Sequence, residues 1–386
     1  MAANTLPLSL IPVQLEIEAE TSNTTSLQQI IASRKIASLN GIRAVAALLV
    51  VLYHLGCSPI PGNYGVVTFF VLSGFLITNR LMHESKKTGT VALRAFYWRR
   101  AIRLLPAFYA FAAVYLISRL LAHSPIDWPQ VLASFAYLGD YYMAIVRPAK
   151  PVMTHTWSLA IEEQFYLVWP FVFVVCRNRL GWLTKAVFAA MGMASAYRAV
   201  LSLHGTSPDY LYYAFDTRLD SLLIGCFLAL AIHHGKRFRV LMWSPLVGAI
   251  ALAAIASLQY LNSFLRGLPF DFNAVVLNGL LTVLCAALIL NAVWFAEHPV
   301  YRWLNNPAMD GLGVLSYSIY LYHPLLVKAV AGLSMMAKVP ACLVGSIIAA
   351  HVSYMFVERP FLKLRNARLI FRLFSRDWFC SRFLQC

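Results

Sequence analysis

Long apolar stretches recur along this chain, and they constrain its fold more than any other feature. The residues are 60% hydrophobic and 12% charged, which leaves too little polar surface to cover a soluble globule of 386 residues. Because a hydrocarbon core roughly 30 Å thick offers the backbone no hydrogen-bond partners, each stretch should form a helix. The predicted fold class is all-α, a polytopic membrane protein with about ten transmembrane helices. The predicted spans lie near residues 41–57, 64–83, 104–121, 155–176, 183–203, 214–234, 240–261, 274–296, 312–332 and 338–358.

Basic residues are distributed unevenly around these predicted spans. Of the 32 Lys and Arg residues, only Arg147, Lys150, Arg266 and Lys338 fall in loops on the side opposite the termini. Short cytoplasmic loops are enriched in positive charge, so both termini are predicted to be cytoplasmic. The net charge of +16 therefore lies along the inner membrane surface, where anionic lipids and metabolites are simpler partners than nucleic acid.

The chain divides into one membrane domain and two flanking segments. Residues 1–38 are polar and read as a cytoplasmic extension without a signal peptide. Residues 39–358 form the membrane domain, and residues 359–386 are predicted to lie on the membrane as a basic amphipathic tail. The middle of the loop 122–154 is apolar enough for a partial or interfacial helix. Seven scattered cysteines indicate neither a disulfide framework nor a zinc site.

A histidine and a carboxylate lie inside two predicted spans. His54 is near the outer end of the first span, and Glu162 should lie in the outer half of the fourth, within reach of His54. Buried ionisable groups in a membrane suggest a site, and a histidine kept basic by a carboxylate can deprotonate a hydroxyl. An imidazole that merely bonds a neighbouring helix is the alternative. Glu163 is turned about 100° from Glu162, so we expect it to cap the helix near water instead.

Arginines cluster at the inner end of the third span. Arg99, Arg100 and Arg103 precede its apolar part, and Arg43 enters the first span from the same side. The commoner explanation is a positive-inside anchor. The functional alternative is phosphate capture, because guanidinium groups one turn apart can bind phosphate oxygens bidentately.

Two later spans also carry polar groups. Asp216 and Asp220 share a face of the sixth span, which favours structural pairing with an arginine over acceptor binding. His323 lies on one stripe of the ninth span with Tyr320, where substrate contact and helix packing are both open. The candidate substrate-binding residues are Trp157, Tyr166, Asp216 and His323.

Seven fragments together resemble the acyltransferase family 3 membrane proteins, bacterial enzymes that acylate, most often acetylate, sugars on surface polysaccharides and related glycans. One fragment would be weak evidence, whereas seven in family order across the membrane domain are specific. The fragments are LNGIRAVAALLVVLYH, FFVLSGFLI, RRAIRLLPAFY, TWSLAIEEQFYLVWP, DTRLDSLLIG, SYSIYLYHP and VERP.

The resemblance implies roles for individual residues. It makes Arg43 and His54 the essential first-span pair, and Arg100 and Arg103 the Arg-x-x-Arg motif linked to acyl-coenzyme A binding. Glu162 becomes the acidic residue of the fourth-span motif. Some relatives carry an appended extracytoplasmic SGNH hydrolase-like domain. This sequence lacks one after VERP, so we expect direct transfer to the acceptor or transfer by a separate protein.

The resemblance also implies partners and a location. The donor substrate would be acetyl-CoA or another acyl-CoA, with no metal, in the bacterial inner membrane. The implied partners are a glycan acceptor, free or lipid-linked, membrane lipids, and proteins of exopolysaccharide or lipopolysaccharide assembly.

The predicted function is therefore a membrane O-acyltransferase, in the first place an O-acetyltransferase. Acyl-CoA would dock on the arginines from the cytoplasm, and His54 would deprotonate the acceptor hydroxyl or carry the acyl group transiently. One rival is a glycan or small-molecule transporter or flippase with a path through His54, Glu162 and Asp216. Another is a structural subunit whose arginines only set topology.

Overall fold

The architecture is helical wherever the chain is described. A computed structural model describes residues 29–31, 36–57, 62–146, 148, 153–235, 243–264, 271 and 273–364, and these ranges contain no strand. The predicted all-α fold is confirmed. The helices are α1 (Leu39–His54), α2 (Gly62–Thr88), α3 (Leu93–Leu121), α4 (Trp128–Phe135), α5 (Gly139–Ile145), α6 (Thr156–Cys176), α7 (Leu180–Leu203), α8 (Pro208–Tyr213), α9 (Phe215–His233), α10 (Leu246–Phe264), α11 (Asn278–Trp294), α12 (Pro299–Arg302), α13 (Pro307–Ala329), α14 (Met335–Ser353) and α15 (Arg359–Leu364).

Capping side chains mark the start of several helices. Asp127, Ser207 and Asn306 each accept a hydrogen bond from a backbone N–H of the first turn, and a proline stands at the start of the helix that follows. These signals set the starts of α4, α8 and α13. The apolar loop 122–154 accordingly contains the short helices α4 and α5, as its composition predicted.

Within the described ranges, five helical segments have the length and apolar character needed to cross a membrane. They are Gly62–Thr88, Leu93–Leu121, Thr156–Leu203, Ala274–Trp294 and Met335–Leu364. The segment Thr156–Leu203 contains two predicted spans, separated by a 3-10 turn. Each predicted span lies on a helix, with residues 240–242 outside the described ranges. A membrane protein is supported, while the number of crossings stays a prediction.

The surface of α6 carries an apolar stripe. Leu167, Phe171 and Val175 lie one turn apart and are exposed, whereas Phe165 and Phe173 are buried in the bundle. A soluble protein rarely exposes such a contiguous patch, but a lipid-facing helix does. The pattern is therefore that of a helix between a protein core and lipid.

The third helix is longer than the sequence predicted. Its apolar part was placed at 104–121, yet α3 begins at Leu93, so Arg94, Arg99, Arg100 and Arg103 all lie on its first turns. Arginine is a good helix former, and the helix continues beyond its apolar part. The arginines therefore sit on a rigid element instead of a loop.

Two helices approach closely at glycines. A Cβ added to Gly74 of α2 would collide with the Leu222 carbonyl of α9, and one on Gly225 of α9 would collide with the Val71 carbonyl of α2. Small residues let helix backbones pack tightly in membranes. The contact fixes how α2 and α9 are rotated, and with α1, α6 and α13 they surround the candidate site.

The flanking segments are described only in part. In the predicted extension 1–38, Ile31 is buried and its carbonyl accepts a hydrogen bond from Asn79 at 2.9 Å, so this stretch packs on the bundle. Residues 1–28 and 32–35 lie outside the described ranges. Of the predicted tail 359–386, α15 is described, and the amphipathic helix predicted for its remainder falls on residues 365–386, also outside these ranges.

Candidate functional site

Two of the cavities formed by the described residues share part of one wall. The first, here called the basic cavity, is 180 Å³ and is lined by Arg43, Arg80, Arg99, Arg100 and Arg103 together with Glu162 and Glu163. The second, the histidine cavity, is 710 Å³ and is lined by His54, His155, Trp157, Tyr212 and Arg218 among others. Val66 and Tyr320 contribute to both linings. The two cavities therefore meet at these two side chains.

The basic cavity carries excess positive charge, held in a fixed geometry. Arg100 donates two hydrogen bonds to Glu163, at 3.0 and 2.5 Å, and its guanidinium lies 3.2 Å from the centre of the Tyr166 ring. Arg43 has a buried Nε without a hydrogen-bond partner among the described residues. Five arginines against two glutamates make this cavity suited to an anion.

Glu162 does not lie beside His54, so that prediction is wrong. Glu162 accepts a hydrogen bond from Ser73 at 2.8 Å and faces the basic cavity. It is seven residues beyond His155, which places it about 10 Å further along α6. The sequence indicated the span that carries this carboxylate but not the face it occupies.

Glu163 also differs from expectation. It was predicted to cap a helix end near water, but it lies well inside α6 (Thr156–Cys176) and pairs with Arg100. Both adjacent carboxylates line the basic cavity, because this cavity wraps around enough of α6 to include side chains turned about 100° apart.

His54 belongs instead to a cluster of three histidines. Its ring centre lies 4.9 Å from that of His323, and the ring of His323 lies 5.5 Å from that of His155. His54 Nδ1 is 2.9 Å from the Val50 carbonyl, and His323 Nδ1 is 2.6 Å from the Tyr320 carbonyl. The sequence analysis did not predict His155 as a candidate, because it is a single histidine just before a helix.

Tyr320 stands at the boundary between the cavities. Its hydroxyl donates to the His155 carbonyl at 2.8 Å and lies 2.6 Å from Ser158 Oγ. Ser158 lines the basic cavity, whereas His155 lines the histidine cavity. The sequence placed Tyr320 on the same stripe as His323 but gave no sign of this boundary position.

The candidate substrate-binding residues separate into three locations. Trp157 lines the histidine cavity, with its ring 5.1 Å from that of Tyr212. Tyr166 lies in the basic cavity beneath Arg100. His323 is fully buried behind His54.

Asp216 lines neither of these two cavities, and its assignment as a substrate-binding residue stays a prediction. It accepts a hydrogen bond from Tyr210 at 3.1 Å, because its position near the start of α9 turns it towards α8. Asp220 pairs with the buried Arg198 at 2.8 Å, so the structural interpretation of that carboxylate is confirmed. Glu162 thus lines the basic cavity, His54 lines the histidine cavity, and Asp216 contacts α8.

Arg218 lines the histidine cavity, although the sequence analysis did not single it out. It is buried and lines the histidine cavity, where Nε donates to the Tyr212 carbonyl at 2.8 Å and Nη1 donates to Asn278. Its charge also lies 4.6 Å from the centre of the Tyr212 ring. The sequence feature that could have indicated Arg218 as a candidate is that it is a lone arginine within an apolar span.

Comparison with known proteins identifies related chains. A family model described as an acyltransferase domain matches residues 36–358. The peptidoglycan O-acetyltransferase OatA of Listeria monocytogenes is 30% identical over 361 residues, which cover 86% of this chain and 56% of that protein. The O-acetyltransferase OatA of Staphylococcus aureus is 27% identical over 378 residues, covering 89% of this chain and 60% of its own length. No solved structure matches.

These comparisons confirm the family resemblance inferred from the seven fragments. The chain spans less than two thirds of the length of these relatives. The name of the Listeria protein specifies peptidoglycan, whereas the sequence predicted an exopolysaccharide or lipopolysaccharide pathway.

Proposed function

We propose that this chain is a membrane O-acetyltransferase. It belongs to the acyltransferase family whose domain matches residues 36–358. It would move an acetyl group from acetyl-CoA to a hydroxyl of a glycan. The observation that carries the proposal is the meeting of an anion-binding cavity and a histidine-lined cavity at Tyr320 and Val66. A transferase needs such an arrangement, because donor and acceptor must approach from separate sites and react at one point.

The basic cavity is the proposed donor site. Coenzyme A carries several phosphate groups, and arginines bind phosphate oxygens through charge-assisted hydrogen bonds. Arg43, Arg100 and Arg103 would hold these phosphates, as the Arg-x-x-Arg resemblance implies. Glu162, which lies away from His54, would act on the charge and position of the arginines instead of on the imidazole. The smaller volume of this cavity, 180 Å³, suits the thin acyl-bearing arm of the donor.

The histidine cavity is the proposed acceptor site. Its aromatic walls include Trp157, Tyr212 and Tyr213, and its polar groups include Arg218 and Asp271. Aromatic faces pack against the apolar faces of sugar rings, while the polar groups fix the orientation of hydroxyls. The larger volume of this cavity accommodates a sugar unit. We propose a glycan acceptor, with peptidoglycan favoured by the name of the Listeria relative.

His54 is the proposed general base. The Val50 carbonyl can only accept a hydrogen bond, so Nδ1 carries the hydrogen and Nε2 keeps a lone pair. This lone pair takes the proton as the acceptor oxygen bonds to the acetyl carbon and the carbon–sulfur bond breaks. The thiolate of coenzyme A then receives the proton. A transient acetyl-imidazole is the alternative route, and the same lone pair would form it.

The proposed setting is the bacterial inner membrane, with ten crossings and both termini in the cytoplasm. The arginine-rich start of α3 would then face the cytoplasm, where acetyl-CoA is present. The acceptor would reach His54 from the opposite side.

A deletion strain complemented with variants tests the proposal. Wild-type protein should restore acetyl groups on the surface glycan, measured by mass spectrometry, and His54→Ala should not, although it inserts normally into the membrane. His204→Ala is the matched control, because His204 is exposed and its Nδ1 also lies near an i−4 carbonyl, that of Val200, at 2.8 Å. Full acetylation with His54→Ala would remove the catalytic assignment. An unchanged glycan with the wild-type chain present or absent would remove the enzyme proposal.

A further inference from the structure

Two buried polar side chains from different helices meet in the wall of the histidine cavity. Arg218 lies in the first turn of α9, Asn278 is the first residue of α11, and both line the cavity. Their exposed fractions are only 3% and 4%. Polar groups buried this deeply are normally satisfied by partners, so the contacts of the pair indicate whether a ligand is needed to complete it.

The contacts of the Arg218 guanidinium are all with uncharged groups. Its Nε donates to the Tyr212 carbonyl at 2.8 Å, its Nη1 donates to Asn278 Oδ1, and its charge lies 4.6 Å from the centre of the Tyr212 ring. A carbonyl, an amide and an aromatic ring carry no net charge. They solvate the guanidinium in part but do not neutralise it, although buried charges in proteins are usually paired with opposite ones.

Carboxylates lie near Arg218 without contacting it. Asp209 and Asp271 line the same cavity, yet neither forms an ion pair with Arg218 in the part of the chain that the structure describes. Asp271 Oδ1 instead accepts a backbone N–H from three residues further along, at 2.9 Å. Asp220, on the same helix as Arg218, pairs with Arg198 at 2.8 Å. These carboxylates therefore act on Arg218 only over longer distances.

The Asn278 amide is oriented by its arginine neighbour. A guanidinium can only donate hydrogen bonds, so the oxygen of the amide must face Arg218 and the nitrogen must face away from it. This Nδ2 is buried and has no hydrogen-bond partner among the described residues. The cavity wall thus combines an uncancelled positive charge with an unused N–H donor on the residue that contacts it.

We propose that Arg218 and Asn278 form an anion-binding subsite of the histidine cavity, and that the glycan acceptor carries a carboxylate or phosphate group which occupies it. The assignment of this anion to an acceptor rests on the proposed function. The binding of the anion by the subsite does not depend on it.

The chemistry of the subsite favours an anionic oxygen over a neutral hydroxyl. Both side chains offer donors, and a carboxylate or phosphate oxygen accepts hydrogen bonds while also neutralising the guanidinium. The Tyr212 ring lies beside Arg218 and 5.1 Å from the Trp157 ring. A sugar packed against these two rings would therefore hold an anionic substituent next to Arg218.

Two substitutions remove the subsite in different ways. Arg218→Gln removes the charge but keeps an N–H donor. Asn278→Asp is isosteric and places a carboxylate against the guanidinium, so the protein neutralises Arg218 by itself and no longer needs the ligand. The matched control is Arg119→Gln, because Arg119 donates to the Pro125 carbonyl and is not among the residues that line the cavity.

Binding is measured by isothermal titration calorimetry with the full-length protein in lipid nanodiscs. The first probe is a disaccharide that ends in a uronic acid, and the second is its neutral, carboxyl-reduced counterpart. The third is the neutral disaccharide joined through a diphosphate to a short, water-soluble polyprenyl chain. Preference for the first probe identifies an acidic sugar as the source of the anion, whereas preference for the third identifies a phosphate linkage.

We expect the wild type to bind one of the two anionic probes at least about tenfold more tightly than the neutral disaccharide, which is the effect of one charge-assisted hydrogen bond. Arg218→Gln and Asn278→Asp should lose this preference, and Arg119→Gln should keep it. Asn278→Asp should also melt at or above the wild-type Tm, because the new ion pair neutralises a buried charge.

Equal affinity of the wild type for all three probes would overturn the inference, and so would a preference that survives in Asn278→Asp. If Arg218→Gln does not fold, the isosteric Asn278→Asp carries the test alone. Acetyl transfer at equal rates to the acidic and neutral probes, without a difference in affinity, rejects the subsite and leaves the proposed function intact. Charge-dependent binding without acetyl transfer to any probe or to isolated surface glycan supports the subsite and rejects the proposed function.

Discussion

The ion pair between Arg100 and Glu163 gives the sharpest test of the donor site, because its two members should act in opposite directions. If the basic cavity binds the phosphates of acetyl-CoA, Glu163 competes with the ligand for Arg100. Arg100→Gln should then weaken acetyl-CoA binding. Glu163→Gln should strengthen it by releasing the guanidinium, and the double variant should resemble Arg100→Gln.

The size of both effects follows from the geometry. Arg100 donates two hydrogen bonds to Glu163, and the two side chains remain 19% and 22% exposed. A hydrogen bond to a charged group contributes about 1.5–3 kcal/mol, and partial exposure brings the value towards the lower end. A change of about 1.5 kcal/mol corresponds to roughly tenfold in affinity. We therefore expect Arg100→Gln to raise the Kd about tenfold, and Glu163→Gln to lower it by up to about tenfold.

Isothermal titration calorimetry of acetyl-CoA with protein in nanodiscs measures these affinities directly. Arg94→Gln is the matched control, because Arg94 lies on the same helix but is exposed and does not line the cavity. It should leave the Kd unchanged. Raising the salt concentration should weaken binding by the wild type more than binding by Arg100→Gln, since fewer charges remain to be screened.

Equal weakening by Arg100→Gln and Glu163→Gln would refute the reasoning, because it would mean that the ion pair serves as scaffolding and does not compete with the donor. Unchanged affinity in both variants would leave the arginines as topology signals alone. Thermal melting of each variant separates these outcomes from misfolding.

Two further predictions concern stability. Burial raises the pKa of Asp140, on α5 between two predicted spans, from 3.8 to about 6. The folded protein thus binds this proton more tightly than the unfolded chain does. The free energy of unfolding should therefore fall by about 3 kcal/mol as pH rises from about 4 to about 6. Asp140→Asn should retain the hydrogen bond from Gln164, raise Tm at neutral pH and flatten this pH dependence in thermal melts, whereas a pH dependence identical to the wild type would contradict the assignment. Gly225→Leu should separate α2 from α9 and abolish the monodisperse peak in size-exclusion chromatography. Gly192→Leu on α7, where the added Cβ meets nothing within 4 Å, should elute like the wild type, and normal elution of both variants would show that the close approach is dispensable.

Local signals accounted for much of the fold and part of the site. Hydropathy and charge predicted the helical membrane class, because the cost of an unpaired backbone in lipid depends only on the apolar length of a segment. The prediction that Arg100 and Arg103 lie together with Arg43 is confirmed by the basic cavity. Trp157 likewise lies in a cavity, although its role in binding stays a prediction.

What the sequence determined by itself was therefore the helices, the family and the side of the bundle that carries the arginines. Only the tertiary structure decided which side chains meet: Glu162 faces the arginines, and His54 contacts His323, whose ring also contacts His155. The physical reason is rotation. A helical period tells which residues of one helix share a face, but the direction of that face is set by contacts such as Gly74 against α9, between segments far apart in the chain.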